Sequence, residues 1–79
     1  MDFPSLIKAM KKQRAAWFMA PINSTAMRLA REELTALTKK AIKLAKTKDE
    51  IKEVIDVSLK GSKECFAATK KLFNLCKDD

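Results

Sequence analysis

Cys65 and Cys76 are the side chains of this sequence best suited to covalent chemistry, and their spacing argues against it. Eleven residues apart on one continuous helix, they would share a face yet sit roughly 16 Å from each other, too far to bridge. With only these two cysteines and no dense cysteine framework, the reading is a reducing, cytoplasmic compartment with two buried thiols. An intermolecular disulfide is the sharper alternative. The chain has no histidine and no tyrosine, so the usual general base is missing and no Ser–His or Cys–His nucleophile can be assembled. Thiols three turns apart do not offer metal-ligand spacing, and there is no acidic EF-hand loop. Lys60-Gly61-Ser62-Lys63 lacks the glycine-rich approach and the preceding strand of a phosphate loop. The expectation is a protein without enzymatic activity, cofactor or metal.

Charge is the other chemical resource. Lysine and arginine number 17 against 10 acidic residues, a formal net charge of +7. The excess is uneven: residues 1–20 carry +3, residues 21–47 carry +4 and residues 48–79 balance to zero. The first half is therefore drawn to anionic surfaces such as nucleic acid, lipid headgroups or acidic proteins. Lys39, Lys40, Lys43 and Lys46 form a basic patch. Lysines at the end of a helix complement its dipole and commonly face solvent, which is the ordinary explanation, with a binding surface as the functional one.

The elements that position these groups follow from periodicity. Met27, Ala30, Leu34, Leu37, Ala41 and Leu44 alternate in spacings of three and four, the signature of one apolar seam along a coiled-coil-like helix. Asn23, Ser24 and Thr25 are candidate N-caps, which predicts a helix over 24–46. It would be about 33 Å long. After a short break, Ile51, Ile55, Leu59, Phe66, Phe73 and Cys76 mark a second stripe, which predicts one helix over 48–77. Thr47 and Glu50 have the spacing of a capping box at its start. The waist of small residues Ser58, Gly61, Ser62, Cys65 and Ala68 reads as close approach of a neighbouring helix, in preference to a kink at Gly61.

Before this hairpin, over 24–77, lies a shorter amphipathic helix over 5–20, with Pro4 at its start and Pro21 at its end. Leu6, Ile7, Met10, Trp17 and Phe18 gather on one side of it. Either that side packs on the hairpin or it docks on an interface between apolar and aqueous phases. The longest apolar run, Ala15 to Ala20 with Pro21 and Ile22 behind it, is too short to span a bilayer and lacks a convincing cleavage site, so the whole chain reads as mature.

Seventy-nine residues make a single helical domain over 1–79 that buries little surface alone. The fold class expected is all-α: a long antiparallel helical hairpin preceded by the shorter helix, self-associating into a bundle. Leu34, Leu37, Ile55, Leu59, Phe66 and Phe73 are the residues expected to form its core or its oligomer interface.

From Ala30 onward the order of features resembles the phasin family, small helical proteins that coat polyhydroxyalkanoate storage granules. The resemblance is carried by Ala30-Arg31-Glu32-Glu33-Leu34, then Leu44-Ala45-Lys46-Thr47-Lys48-Asp49-Glu50, then Cys65-Phe66-Ala67-Ala68 and Lys71-Leu72-Phe73-Asn74-Leu75. It covers about half of the chain. It implies a noncatalytic coat protein whose apolar stripes cover a hydrophobic polymer and whose charged faces keep the particle dispersed. On that reading Leu6, Ile7, Met10, Trp17 and Phe18 contact the polymer or a lipid-like surface, and the hairpin seam serves a homo-oligomer. The runner-up is a small basic nucleic-acid-associated or phage-type regulatory protein. A helical inhibitor or adaptor laid into a partner's groove is the third reading.

Overall fold

The computed structural model describes residues 2–77. Met1, Asp78 and Asp79, the ends of the single domain expected over 1–79, lie outside the described residues. Four helices follow one another: α1, Phe3–Met19; α2, Thr25–Leu44; α3, Lys48–Val57; and α4, Lys63–Lys77. The chain is all-α, as its periodicity predicts.

Each helix starts where local chemistry allows. Asp2 caps α1 by accepting from the Ser5 amide at 3.1 Å, with Pro4 in the first turn, where a missing N–H costs nothing. Of the three candidate caps before α2, Ser24 does the work, accepting from the Met27 amide at 3.1 Å. Thr47 and Glu50 form the capping box of α3: the Glu50 amide donates to Thr47 Oγ1 at 3.2 Å and the Thr47 amide to Glu50 Oε1 at 3.1 Å.

The helix expected over 48–77 is two helices. Backbone at Ser58 turns extended, and the buried Ser58 hydroxyl donates to the Ile55 carbonyl at 2.9 Å. A turn follows in which the Ser62 amide donates to the Leu59 carbonyl at 3.2 Å. Gly61 is the third residue of that turn, with φ +82°, the value a type II turn demands and one that side chains other than glycine's resist. Ser62 then caps α4, accepting from the Cys65 amide at 3.1 Å. Gly61 is therefore a turn glycine. No neighbour crowds the place its missing side chain would fill, so the close approach expected at the small-residue waist is not its purpose.

The core is narrow and draws on every helix. Leu6, Ile7 and Met10 of α1 meet Leu34 and Ala41 of α2, Ile51, Val54 and Val57 of α3, and Ala68 of α4. Helix α1 lies chiefly against α2, and α3 chiefly against α4, in a body of 44 × 24 × 14 Å. Along α2 the buried line runs Ala30, Leu34, Thr38 and Ala41, then Ala45 beyond the helix, leaving Leu37 half-buried and Leu44 exposed. An alternation of three and four drifts around a straight helix of 3.6 residues per turn, so its outer members leave the seam unless the helix supercoils. Thr38 takes the vacated place, and its hydroxyl is satisfied by the Leu34 carbonyl at 2.7 Å.

Candidate hydrophobic docking surface

The apolar side chains that the core does not absorb gather most densely where α1 turns into α2. Helix α1 ends at Met19 because Ala20 is extended and Pro21 cannot continue it. The Ser24 amide donates to the Pro21 carbonyl at 3.2 Å, closing a turn whose third residue, Asn23, has φ +61°. Asparagine tolerates that conformation better than most residues. Ile22 is thereby held at the apex of a tight turn, where nothing can cover it. Phe18, Met19 and Ile22 are 71%, 86% and 84% exposed, and Leu29 in the second turn of α2 is also exposed. Half-buried Trp17 steadies Phe18 through an edge-to-face contact with ring centroids 5.5 Å apart. Lys11 and Arg14 border a shallow depression that reaches Phe18 and Met19, and Arg28 lies on the other side of the turn, near Asn23. An apolar apex with a cationic border suits an interface that is apolar below and aqueous or anionic above.

Of the residues expected to contact a surface, only Phe18 is fully available. Leu6, Ile7 and Met10 are buried in the core, which corrects their assignment to an external surface: the first half of α1 spends its stripe on α2 and α3. Burial of side chains this size is worth about 1.5–3 kcal/mol apiece, so the helix does not dangle. Met19, Ile22 and Leu29 were not singled out by periodicity. For Met19 and Ile22 the signal is the apolar run from Ala15 that continues past Pro21, because an apolar residue at a helix end or inside a tight turn has no helix face to hide on; Leu29 lies in α2, outside that run.

The expected core or oligomer residues divide. Leu34 is buried; Leu37, Ile55 and Leu59 are half-buried and pack on the core. Phe66 and Phe73 are 69% and 66% exposed, which corrects their placement in the core of the chain. The turn at Gly61 breaks the register between α3 and α4, so α4 turns Ala68 inward and packs Leu72 and Leu75 at its edge. Lys63, Phe66, Lys70, Phe73 and Lys77 then share one exposed line along α4. Cys65 is half-buried and Cys76 exposed, both free, so the expectation of two buried thiols is met at neither, and fails outright at Cys76.

Lys39, Lys40, Lys43 and Lys46 are all exposed around the end of α2. Arg28, Arg31 and Lys39 line a shallow groove further up the same helix, interrupted by Glu32. No helix among the described residues is long and apolar enough to cross a membrane. Comparison with known proteins returns no matching family model, no matching curated protein and no matching solved structure.

Proposed function

We propose that this chain is a noncatalytic, surface-binding helical protein that attaches to a hydrophobic polymer or lipid-like surface through the turn between α1 and α2. The observation that carries this reading is the exposure of Phe18, Met19 and Ile22 at one apex. Burying each such side chain gains about 1.5–3 kcal/mol, less the ordering of its rotamers on attachment. The reading keeps the noncatalytic coat role that the phasin resemblance implies but moves the contact from the stripe of α1 to its end. Free Cys65 and Cys76 suit a reducing, cytoplasmic setting. Self-association belongs to the same proposal, with Phe66 and Phe73 on the open face of α4 as its seat; sedimentation of the free protein at rising concentration checks it. Partitioning onto uncharged hydrophobic particles at low and high salt tests the surface reading.

A second reading, backbone-level binding of nucleic acid, is favoured by the exposure of Lys39, Lys40, Lys43 and Lys46. It differs in its salt response, because affinity resting on phosphate contacts falls steeply as salt rises.

A further inference from the structure

A notch of about 370 Å³ opens between the end of α1, the middle of α2 and the turn from α3 to α4. Three cations from three separate elements border it: Arg14, Arg31 and Lys60. Trp17, Phe18 and Ser62, the last beside the start of α4, also line it, and no carboxylate is among the lining residues. Like charges brought together by folding repel unless something of opposite sign joins them; Arg14 and Lys60 each meet a carbonyl near the negative end of α3, and no lining carboxylate neutralises the three charges.

The cations are also arranged to bind. Arg14 is half-buried, and its Nη1 donates to the Asp56 carbonyl at 2.8 Å, which fixes the guanidinium against α3. A guanidinium has five N–H donors, so most remain free for a second partner. Lys60 is held in the same manner, its Nζ donating to the Ile55 carbonyl at 3.1 Å with two ammonium hydrogens to spare. Arg31 is exposed on α2 and brings a third charge. Ser62, the cap of α4, lines the notch, so the N-terminus of that 15-residue helix lies next to it.

We propose that this notch binds a phosphate group carried on a body with apolar surface, the phosphate lying between Arg14, Arg31 and Lys60 and the body against Trp17 and Phe18. Guanidinium forks match phosphate oxygens, and a pocket of this volume is large enough for a small phosphorylated ligand. The notch shares Arg14 and Phe18 with the apex but not Met19 or Ile22, and its phosphate-binding charges Arg31 and Lys60 lie outside the apex, so it does not depend on surface attachment. A soluble phosphomonoester and a phospholipid headgroup share the required chemistry.

Trp17 is the chain's single tryptophan and lines the notch, so its fluorescence reports occupancy. The test titrates the full chain at low salt with adenosine monophosphate, with uncharged adenosine, and with vesicles of phosphatidic acid in neutral lipid. A saturable change with the monophosphate, at least tenfold weaker with adenosine, assigns the site to a soluble ligand. A saturable change with phosphatidic acid vesicles, absent with neutral vesicles, assigns it to a headgroup. Either result must weaken at least tenfold in Arg31→Gln, whose exposed position leaves folding intact, and must survive in a Lys39→Gln, Lys40→Gln control. No saturable response to either phosphate-bearing probe overturns the proposal, as does a response that Arg31→Gln leaves unchanged.

Discussion

The Lys71 ammonium donates to the Ile42 carbonyl at 2.5 Å and to the Ala45 carbonyl at 2.8 Å, tying the middle of α4 to the end of α2. The Ile42 carbonyl needs this partner. Its helical donor would be the Lys46 amide, but that amide donates to Glu50 Oε1 at 2.9 Å. One carboxylate and one ammonium, each from a later helix, thus complete the termination of α2, and the cation sits where the helix dipole is negative.

Lys71→Met keeps the length and apolar stem of the side chain and removes the donor. A hydrogen bond from a charged group is worth about 1.5–3 kcal/mol, and half-burial of Lys71 places it at the lower end. Urea unfolding should show a loss of about 1–2 kcal/mol. An unchanged midpoint would mean that water satisfies both carbonyls equally well.

Glu50 makes the joint between α2 and α3 acid-sensitive. Its carboxylate is held below its ordinary value of 4.5 by the Lys46 amide first and the Thr47 amide second. A folded-state value below the unfolded one contributes stability that is full above the unfolded value and is lost as pH falls through the folded one. Thermal midpoints should therefore be flat above about pH 5 and decline below about pH 4.5. Glu50→Gln should flatten part of that decline. Equal acid slopes in both proteins would contradict this account of the joint.

At Gly61 two structures make opposite predictions. In the middle of a helix, replacing glycine by alanine stabilises by about 1 kcal/mol. At φ +82° it strains the backbone by about 1–2 kcal/mol, although no atom blocks the added methyl. Gly61→Ala should lower stability, and Gly61→Asn should lower it less. A stabilised alanine variant would restore the continuous helix.

Much of the architecture is legible in the residues, and the exceptions have physical causes. Ser24, Thr47 with Glu50, and Pro21 punctuate the chain as local chemistry requires, because caps and prolines act within a few residues. The break at Ser58 to Ser62 was hidden because the apolar spacing of Ile51, Ile55, Leu59 and Phe66 carries a helical period straight across it. A single glycine decides the matter only through a positive φ that spacing does not encode. The fate of α1 was likewise undecided, since one amphipathic stripe fits a partner helix or an external surface equally well. The most exposed apolar side chains are instead Met19 and Ile22, which lie at the helix end and in the turn, outside any periodic pattern.

The division of α1 into a packed half and an exposed end has a simple consequence. Leu6→Ala removes a fully buried side chain and should cost about 2–5 kcal/mol in urea unfolding. Phe18→Ser should cost less, about 0.5–1.5 kcal/mol, chiefly the edge-to-face contact with Trp17. Similar losses at both sites would mean that Phe18 packs more firmly than its exposure indicates.

The most direct test of the surface-binding account is partitioning of the purified protein between solution and uncharged hydrophobic polymer particles at low and high salt. A Phe18→Ser, Met19→Ser, Ile22→Ser variant and a Phe66→Ser, Phe73→Ser variant run alongside. The account predicts that the parent binds at both salts, that the first variant binds at least about tenfold more weakly because it lacks the apolar apex, and that the second retains binding. A parent that stays in solution at both salts, or an apex variant that binds as well as the parent, would contradict it.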